Sequence, residues 1–202
     1  MYFNKKNILI VSIFSILLGC TNSNMVQNSN IYNQNSTYQK IINSIRSGNL
    51  DSAEELYVKL KESEQNIQIK KAASMLATAH IAKKEYILAN FFIQEALAID
   101  SSDEFLRYLL VKNQFLAANL QNRDQSYMNK ALDALNQNQY LVSNSDYQIL
   151  ANTMLTRVKL DIAYNNKEVG NLYKKMNKPE AYKIYTQKIE NLGFNTQDIV
   201  KN

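Results

Sequence analysis

The fold is decided by the stretch Met75-Leu-Ala-Thr-Ala-His-Ile-Ala-Lys-Lys-Glu-Tyr-Ile-Leu-Ala-Asn-Phe-Phe-Ile-Gln-Glu-Ala-Leu-Ala-Ile-Asp100. Small residues recur in it at Ala77, Ala89 and Ala96, and an aromatic residue stands at Tyr86. Small side chains at these positions let a second helix pack closely on a first one. The stretch therefore predicts a helical hairpin.

Three other segments repeat this pattern, in which an alanine of the second helix is followed four residues later by a large residue. The four pairs are Ala53 with Tyr57, Ala89 with Ile93, Ala131 with Leu135, and Ala181 with Tyr185. Turns precede two of these helices, at Ser47-Gly48-Asn49 and at Asn177-Lys178-Pro179, where proline suits the first helical turn. The bulky residue fills the gap to a neighbouring hairpin, so we expect about four stacked hairpins.

The hairpins resemble the tetratricopeptide repeat (TPR). The alanine spacings are 36, 42 and 50 residues, against about 34 in that repeat. We therefore predict an all-α fold over residues 37–202, an α-solenoid of about four TPR-like helical hairpins with an insertion around the third and fourth repeats. A nonrepetitive helical bundle is the alternative, because an Ala/Leu/Tyr stripe at helical spacing also suits an ordinary core.

The composition agrees with a helical protein without disulfides. The 202 residues include only four glycines and one proline, which disfavours a turn-rich sheet protein. Cys20 is the only cysteine, so a disulfide within the chain and a thiolate metal site are excluded. The net charge of +5 comes from lysines interspersed with acidic residues, which argues against nucleic acid as a partner.

The first twenty residues have the pattern of a bacterial export signal. Lys5 and Lys6 precede an apolar run, Ile8 to Leu18, which is too short to span a membrane, since a spanning helix needs about 20 residues. The sequence Leu17-Leu18-Gly19-Cys20 resembles the lipobox of bacterial lipoproteins. This resemblance implies that residues 1–19 are a signal peptide and that Cys20 is the site of lipid attachment, including palmitate. An ordinary secretory signal with an incidental cysteine is the alternative.

Residues 20–36 are predicted to be a lipidated flexible tether. They are polar and lack helical apolar spacing, and such a segment spans about 20 Å on average. More than one acyl chain would anchor the protein stably in the membrane. Thr21 is not an acidic residue, and by analogy with enterobacterial lipoproteins this indicates the periplasmic face of the outer membrane.

The second half of the chain resembles the BamD family, the repeat lipoproteins of the outer-membrane β-barrel assembly (BAM) complex. The matching elements are Arg123-Asp124-Gln125, Ala131-Leu132, Asn144-Ser145-Asp146-Tyr147, a helical run from Ala151 through Leu160 and Ala163, Glu168-Val169-Gly170-Asn171-Leu172-Tyr173, and Ala181. The resemblance extends over roughly residues 37–192. The chain departs from the family in lacking Tyr-Pro turns after the first and third units, and it ends soon after Leu192-Gly193-Phe194, where the family commonly has a fifth repeat.

The family resemblance implies a non-enzymatic scaffold that helps assemble and insert outer-membrane β-barrel proteins. A pilotin-like or secretion-complex TPR lipoprotein is the alternative, and an enzyme or an activator of cell-wall synthesis is a third class without support from any residue. No phosphate-binding loop, nucleophile elbow or metal-spaced cluster occurs in the sequence. His80, the only histidine, is expected to pack inside the repeat. We therefore predict no enzymatic activity, no cofactor and no metal site.

Two sets of residues are candidates for binding. First helices of such arrays line a concave surface for peptides, and the register of the best-matched repeat directs Tyr38, Ile42, Ile45, Arg46, Ser74, Thr78 and Ile81 toward it. Packing between helices is the alternative role of each. The resemblance implies that this groove binds the C-terminal signal of unfolded outer-membrane β-barrel proteins, and that Tyr173, Lys174, Lys175 and Tyr182 of the fourth unit face the periplasmic domains of BamA. The lysines could equally form a solvated face.

Overall fold

A computed structural model describes residues 36–62, 66–120 and 124–199. Within these ranges the chain is all helical and contains no strand, which confirms the predicted fold class. The helices are α1 (Thr37–Arg46), α2 (Leu50–Lys61), α3 (Asn66–Ala82), α4 (Tyr86–Ile99), α5 (Glu104–Leu120), α6 (Gln125–Gln137), α7 (Gln139–Ser143), α8 (Gln148–Lys175) and α9 (Pro179–Glu190). None of the described helices has the length and apolar character needed to cross a membrane.

The two turns predicted from the sequence, at residues 47–49 and 177–179, lie where α2 and α9 begin. Asn49 Oδ1 accepts a hydrogen bond of 3.2 Å from the backbone N–H of Ser52 at the start of α2, which satisfies one of the free N–H groups there. Gly48 has φ +78°, a conformation that glycine adopts without strain. Pro179 stands at the start of α9, where its missing N–H costs no hydrogen bond.

The helices pack as four consecutive hairpins. Helices α1 and α2, α3 and α4, α5 and α6, and α8 and α9 are the closely packed pairs. The short α7 lies between the third and fourth hairpins, in the region where an insertion was predicted. Along the described chain the backbones of the first helices approach one another, as α1 with α3, α3 with α5, and α5 with α8, whereas the backbones of α2 and α4, and of α4 and α6, stay farther apart. The first helices thus form the inner layer and the second helices the outer, convex layer of a repeat array.

The hydrophobic core runs along this array in three parts. The first lies between α1 and α5 and includes Ile41, Leu76 and Ile93. The second lies between α5 and α8, and the third joins α8 and α9 to the residues that follow α9. A bundle would gather its helices around one centre, so this succession of cores supports the array over the bundle.

The repeated alanine and large-residue pairs are buried in three hairpins but not in the fourth. Ala53, Ala89 and Ala131 are completely buried together with their partners. Ala181 and Tyr185 of α9 are only half-buried, because no described hairpin packs on the far side of α9. The pattern therefore predicted the position of the fourth hairpin correctly but overstated how far its second helix is enclosed.

The segment after α9 folds back onto the last hairpin. Ile199 is buried against Ala163 and Ile189, and its carbonyl oxygen accepts a hydrogen bond of 2.7 Å from Lys167 Nζ. This segment covers apolar surface of α8 and α9 in the place where the resembled family commonly continues with a fifth repeat.

The predicted signal peptide, residues 1–19, and the lipid-attachment residue Cys20 lie outside the described residues. The predicted tether, residues 20–36, does so too, except for Ser36, whose Oγ accepts a hydrogen bond of 3.2 Å from the backbone N–H of Gln39 and caps α1. The boundaries of these segments stay predictions.

Candidate functional site

The predicted groove residues lie on α1 and α3, the neighbouring first helices of the first two hairpins. Tyr38, Ile45 and Ile81 are half-buried and pack against the first core. Ile42 is also half-buried, and Arg46 is exposed at the end of α1. Tyr38, Ile45 and Ile81 therefore contribute to helix packing and keep part of their surface accessible, and their binding role stays a prediction.

The hydroxyl groups of the groove bond to their own helix. Ser74 Oγ donates to the carbonyl oxygen of Lys70 at 2.8 Å, and Thr78 Oγ1 donates to the carbonyl oxygen of Ser74 at 2.9 Å. Thr78 is exposed, whereas Ser74 is half-buried. Because their hydrogens are already used, these hydroxyls could accept but not donate a hydrogen bond without rotating away.

An ion-pair cluster holds the second hairpin to the third, close to this surface. Lys70 Nζ contacts Asp100 Oδ2 at 2.9 Å and Asp103 Oδ2 at 3.0 Å. The hydrogen bond from Lys70, together with one from Ser102, lowers the pKa of Asp100 to about 2, and the same two carboxylates raise the pKa of Lys70. Lys70 thereby ties α3 to the connection between α4 and α5. Sequence reasoning missed this cluster, because Lys70 is 30 or more residues away from both carboxylates along the chain.

His80 is packed within the array, as its position in the repeat predicted. Its side chain is 1% exposed, and its ring stacks on Phe92 with centroids 5.3 Å apart. Nδ1 lies 2.7 Å from Glu85 Oε2. Nε2 lies 3.1 Å from Glu54 Oε1, but not in hydrogen-bond alignment. The imidazole thus links α2, α3 and the turn that precedes α4.

Two charged residues of α2 have partners in other helices. Glu54 contacts His80, and Lys61 forms an ion pair with Glu95 of α4. Glu95 also accepts a hydrogen bond of 3.2 Å from the hydroxyl of Tyr57, and burial together with Glu95 raises the pKa of Tyr57. Sequence reasoning did not predict these contacts, because spacing along one helix does not show which groups a neighbouring helix presents.

The partner-contact candidates lie where α8 meets α9. The rings of Tyr173 and Tyr185 stack with centroids 5.6 Å apart, and Lys174 Nζ lies 5.5 Å from the centre of the Tyr182 ring. Both Tyr173 and Tyr182 are half-buried, whereas Lys174 and Lys175 are exposed. The structure brings these four residues into one region, in which the tyrosines also hold the hairpin together.

Gly170 sets the distance between the two helices of this hairpin. A Cβ atom on Gly170 would lie 3.2 Å from Tyr185 Cβ and 3.6 Å from the Tyr182 ring. A glycine at this point lets α9 approach α8 more closely than a larger residue would allow. The resembled motif around Gly170 thus has a packing function.

The same hairpin exposes apolar side chains that sequence reasoning did not single out. Leu172 and Met176 lie one turn apart at the end of α8 and are 56% and 50% exposed. Ile184 on α9 is 52% exposed. They accompany the exposed Lys174 and Lys175, and apolar side chains beside positive charge are suited to a protein contact. The helical spacing of Leu172 and Met176 is the signal that could have revealed this pair.

Within residues 36–62, 66–120 and 124–199, no group of His, Cys, Asp and Glu side chains could hold a metal ion.

The chain matches no family model. It is similar to the outer membrane protein assembly factor BamD of Helicobacter pylori (strain ATCC 700392 / 26695), with 27% identity over 191 residues. This match spans 92% of the present chain and 87% of the relative. This similarity supports a relationship to the BamD family. The similarity extends beyond the second half of the chain, in which the resembling motifs lie, because the alignment takes in 92% of the sequence.

Proposed function

We propose that this BamD-family chain is a non-enzymatic lipoprotein scaffold of the BAM complex, which helps to assemble and insert outer-membrane β-barrel proteins. The similarity to an outer membrane protein assembly factor over 92% of the chain carries this proposal. The helical array supports it, because such arrays bind partners through extended surfaces.

The proposed scaffold is held at the periplasmic face of the outer membrane by acyl chains on Cys20. The lipobox-like sequence around Cys20 supports this anchor, and acylation by more than one chain would make it stable. Replacing Cys20 with alanine should release the protein from membranes. The measurement is fractionation of cells that produce each form, and an unaltered membrane association would contradict the proposed anchor.

The proposed substrate site is the surface of α1 and α3 defined by the seven groove residues. Its half-buried Tyr38, Ile42, Ile45 and Ile81 offer apolar contacts, and Arg46 offers a positive charge to a peptide carboxylate. The proposed ligand is the C-terminal signal of an unfolded outer-membrane β-barrel protein, whose alternating aromatic residues suit such a surface.

The exposed Thr78 allows a test of the groove that leaves the core intact. Thr78→Glu places a negative charge on the surface and should weaken the binding of C-terminal barrel peptides about tenfold or more, as an unpaired charge at a contact does. The matched control is Thr153→Glu on α8, because Thr153 is also exposed and its Oγ1 makes the same type of bond, to Ile149 O at 2.8 Å. Fluorescence anisotropy of a labelled peptide measures both. Equal affinities of the two variants would contradict the proposed groove.

The proposed contact with the periplasmic domains of BamA is the end of the fourth hairpin, around Tyr173, Lys174, Lys175 and Tyr182. Lys174→Glu reverses a charge there and should reduce the amount of BamA that is retained by the tagged protein. Lys130→Glu is the matched control, since Lys130 is exposed and lies 5.2 Å over the ring of Tyr127 on α6, as Lys174 lies over Tyr182. Equal retention of BamA by both variants would contradict this assignment.

A further inference from the structure

None of the exposed residues of α4 is charged. Its exposed side chains are Ile87, Leu88, Phe91, Gln94, Ala98 and Ile99. The only charged residue of α4, Glu95, lies one turn after Phe91 and is partly buried, and its carboxylate is bound by Lys61 and Tyr57. The other second helices differ, because the exposed positions of α2, α6 and α9 include lysine together with aspartate or glutamate. A helix that is apolar on all sides is normally covered on all sides.

Three large apolar side chains form a continuous ridge at the start of this face. Ile87 is 81% exposed, Leu88 is 42% exposed and Phe91 is 51% exposed. Phe91 lies three and four residues after the other two, so the three side chains adjoin one another on the helix surface. The ring of Phe91 is braced by an edge contact with the buried Phe92, with centroids 5.1 Å apart.

Two lysines stand directly before the ridge. Lys83 and Lys84 are exposed in the turn between α3 and α4, and neither forms an ion pair with a carboxylate of the described part of the chain. Lys83 Nζ instead donates to Gly48 O at 3.3 Å, which places the turn between α1 and α2 beside it. The third residue of the turn, Glu85, is engaged by His80. The start of α4 therefore presents positive charge next to exposed apolar groups.

We propose that this ridge and its two lysines dock on an anionic phospholipid surface. The outer layer of the array is convex, and a convex ridge offers no groove to receive a helix or a peptide. The surface of three side chains is also far smaller than the roughly 800 Å² that each partner buries in a stable protein interface. A bilayer accepts a protruding ridge, because apolar side chains enter the region between headgroups and acyl chains while lysines reach the phosphates. Each lysine near an anionic surface favours binding by about fivefold.

Docking would fix how the array is oriented on the membrane. The ridge belongs to the convex layer, so contact through it leaves the surface of α1 and α3 facing away from the lipid. This orientation does not depend on the identity of the groove ligand or on contact with BamA.

The absence of tryptophan from the chain permits a direct measurement. The acylated protein carrying Phe91→Trp is purified from membranes and reconstituted into vesicles that contain phosphatidylglycerol and acyl-brominated lipid, which quenches tryptophan within the bilayer. The matched control is Tyr140→Trp on α7, because Tyr140 is aromatic and 53% exposed. We expect a blue-shifted emission and quenching at position 91 that is at least about twice that at position 140, as interfacial insertion of the ridge requires.

The lysines are tested in the Phe91→Trp protein with Lys83→Gln and Lys84→Gln. The ratio of docked to undocked protein should fall by about 30-fold for the two charges together, and vesicles of zwitterionic lipid should reproduce this loss. Equal quenching at positions 91 and 140 would overturn the proposal. An emission shift that requires the addition of solubilised membrane proteins would assign the face to a protein partner and would also overturn it. Because the vesicles hold the purified protein without any assembly component, equal quenching at the two positions would leave the proposed function unaffected.

Discussion

Replacing Leu76 with alanine tests whether the protein is an array of successive cores. Leu76 is completely buried in α3, in the cluster to which α1, α2, α4 and α5 contribute Ile41, Tyr57, Phe92 and Leu106. Removing a fully enclosed leucine side chain costs about 3 to 5 kcal/mol, because transfer energy is lost and a cavity remains. For a domain of this size the midpoint of thermal unfolding should fall by about 6 to 20 °C. Circular dichroism during heating and urea titration measures both quantities.

The control for this substitution is Leu172→Ala, which removes the same atoms from a side chain that is 56% exposed. It should change stability by no more than about 0.5 kcal/mol. Hydrogen exchange then shows where the damage occurs. In a repeat array, each unit interacts mainly with its neighbours, so amides of α1 to α4 should lose protection in Leu76→Ala while those of α8 largely keep it. A uniform loss of protection from α1 to α9, or equal costs of the two substitutions, would refute this reasoning.

Two further perturbations address the joints between helices. Gly170→Ala should lower the free energy of unfolding in urea by up to about 2 kcal/mol. Overpacking against Tyr185 costs about 1 to 3 kcal/mol, and the better helix propensity of alanine offsets about 1 kcal/mol of this. A gain in stability would show that α9 moves away from α8 freely. Because the pKa of Asp100 is lowered in the folded protein, this carboxylate becomes protonated at a higher pH in the unfolded chain than in the folded protein. Its contribution to the free energy of unfolding is therefore complete above about pH 4 and is lost as the pH falls toward 2. Lys70→Met should therefore lessen the loss of urea stability over this range, and an unchanged pH profile would contradict the role assigned to the ion pair.

The hairpins could be predicted because their signals are local. Ala53, Ala89 and Ala131 mark second helices at positions where only a small side chain lets two helices approach, and all three are completely buried. Gly48 and Pro179 mark turns through their own backbone preferences. Such features need no knowledge of the neighbouring hairpin, and the structure bears them out.

Contacts between hairpins could not be predicted from these signals. Lys70 of α3 contacts Asp100 and Asp103 in the connection between α4 and α5, and Glu54 of α2 contacts His80 of α3. These contacts depend on how the hairpins stack. The half-buried state of Tyr185 has the same origin, since burial of α9 depends on whether another element packs on it.

The candidate sites were predicted in part. The groove candidates lie on the adjacent α1 and α3 and their binding role stays a prediction, while the register could not show that Tyr38, Ile45 and Ile81 are held against the core. In the fourth hairpin the candidate tyrosines and lysines lie close together. The sequence did not reveal that Leu172 and Met176 beside them are exposed. Their exposure depends on which elements pack on this hairpin and not on their own helical pattern.

The proposed function is tested most directly by affinity purification of the tagged, acylated protein from outer membranes. Mass spectrometry then identifies the partners that are recovered with it. Cys20→Ala serves as the control for membrane location. The account predicts that BamA is recovered with the protein and that Lys174→Glu recovers less of it than Lys130→Glu. Recovery of a secretin or of a cell-wall synthase without BamA would contradict the account and would favour a secretion-complex or regulatory lipoprotein.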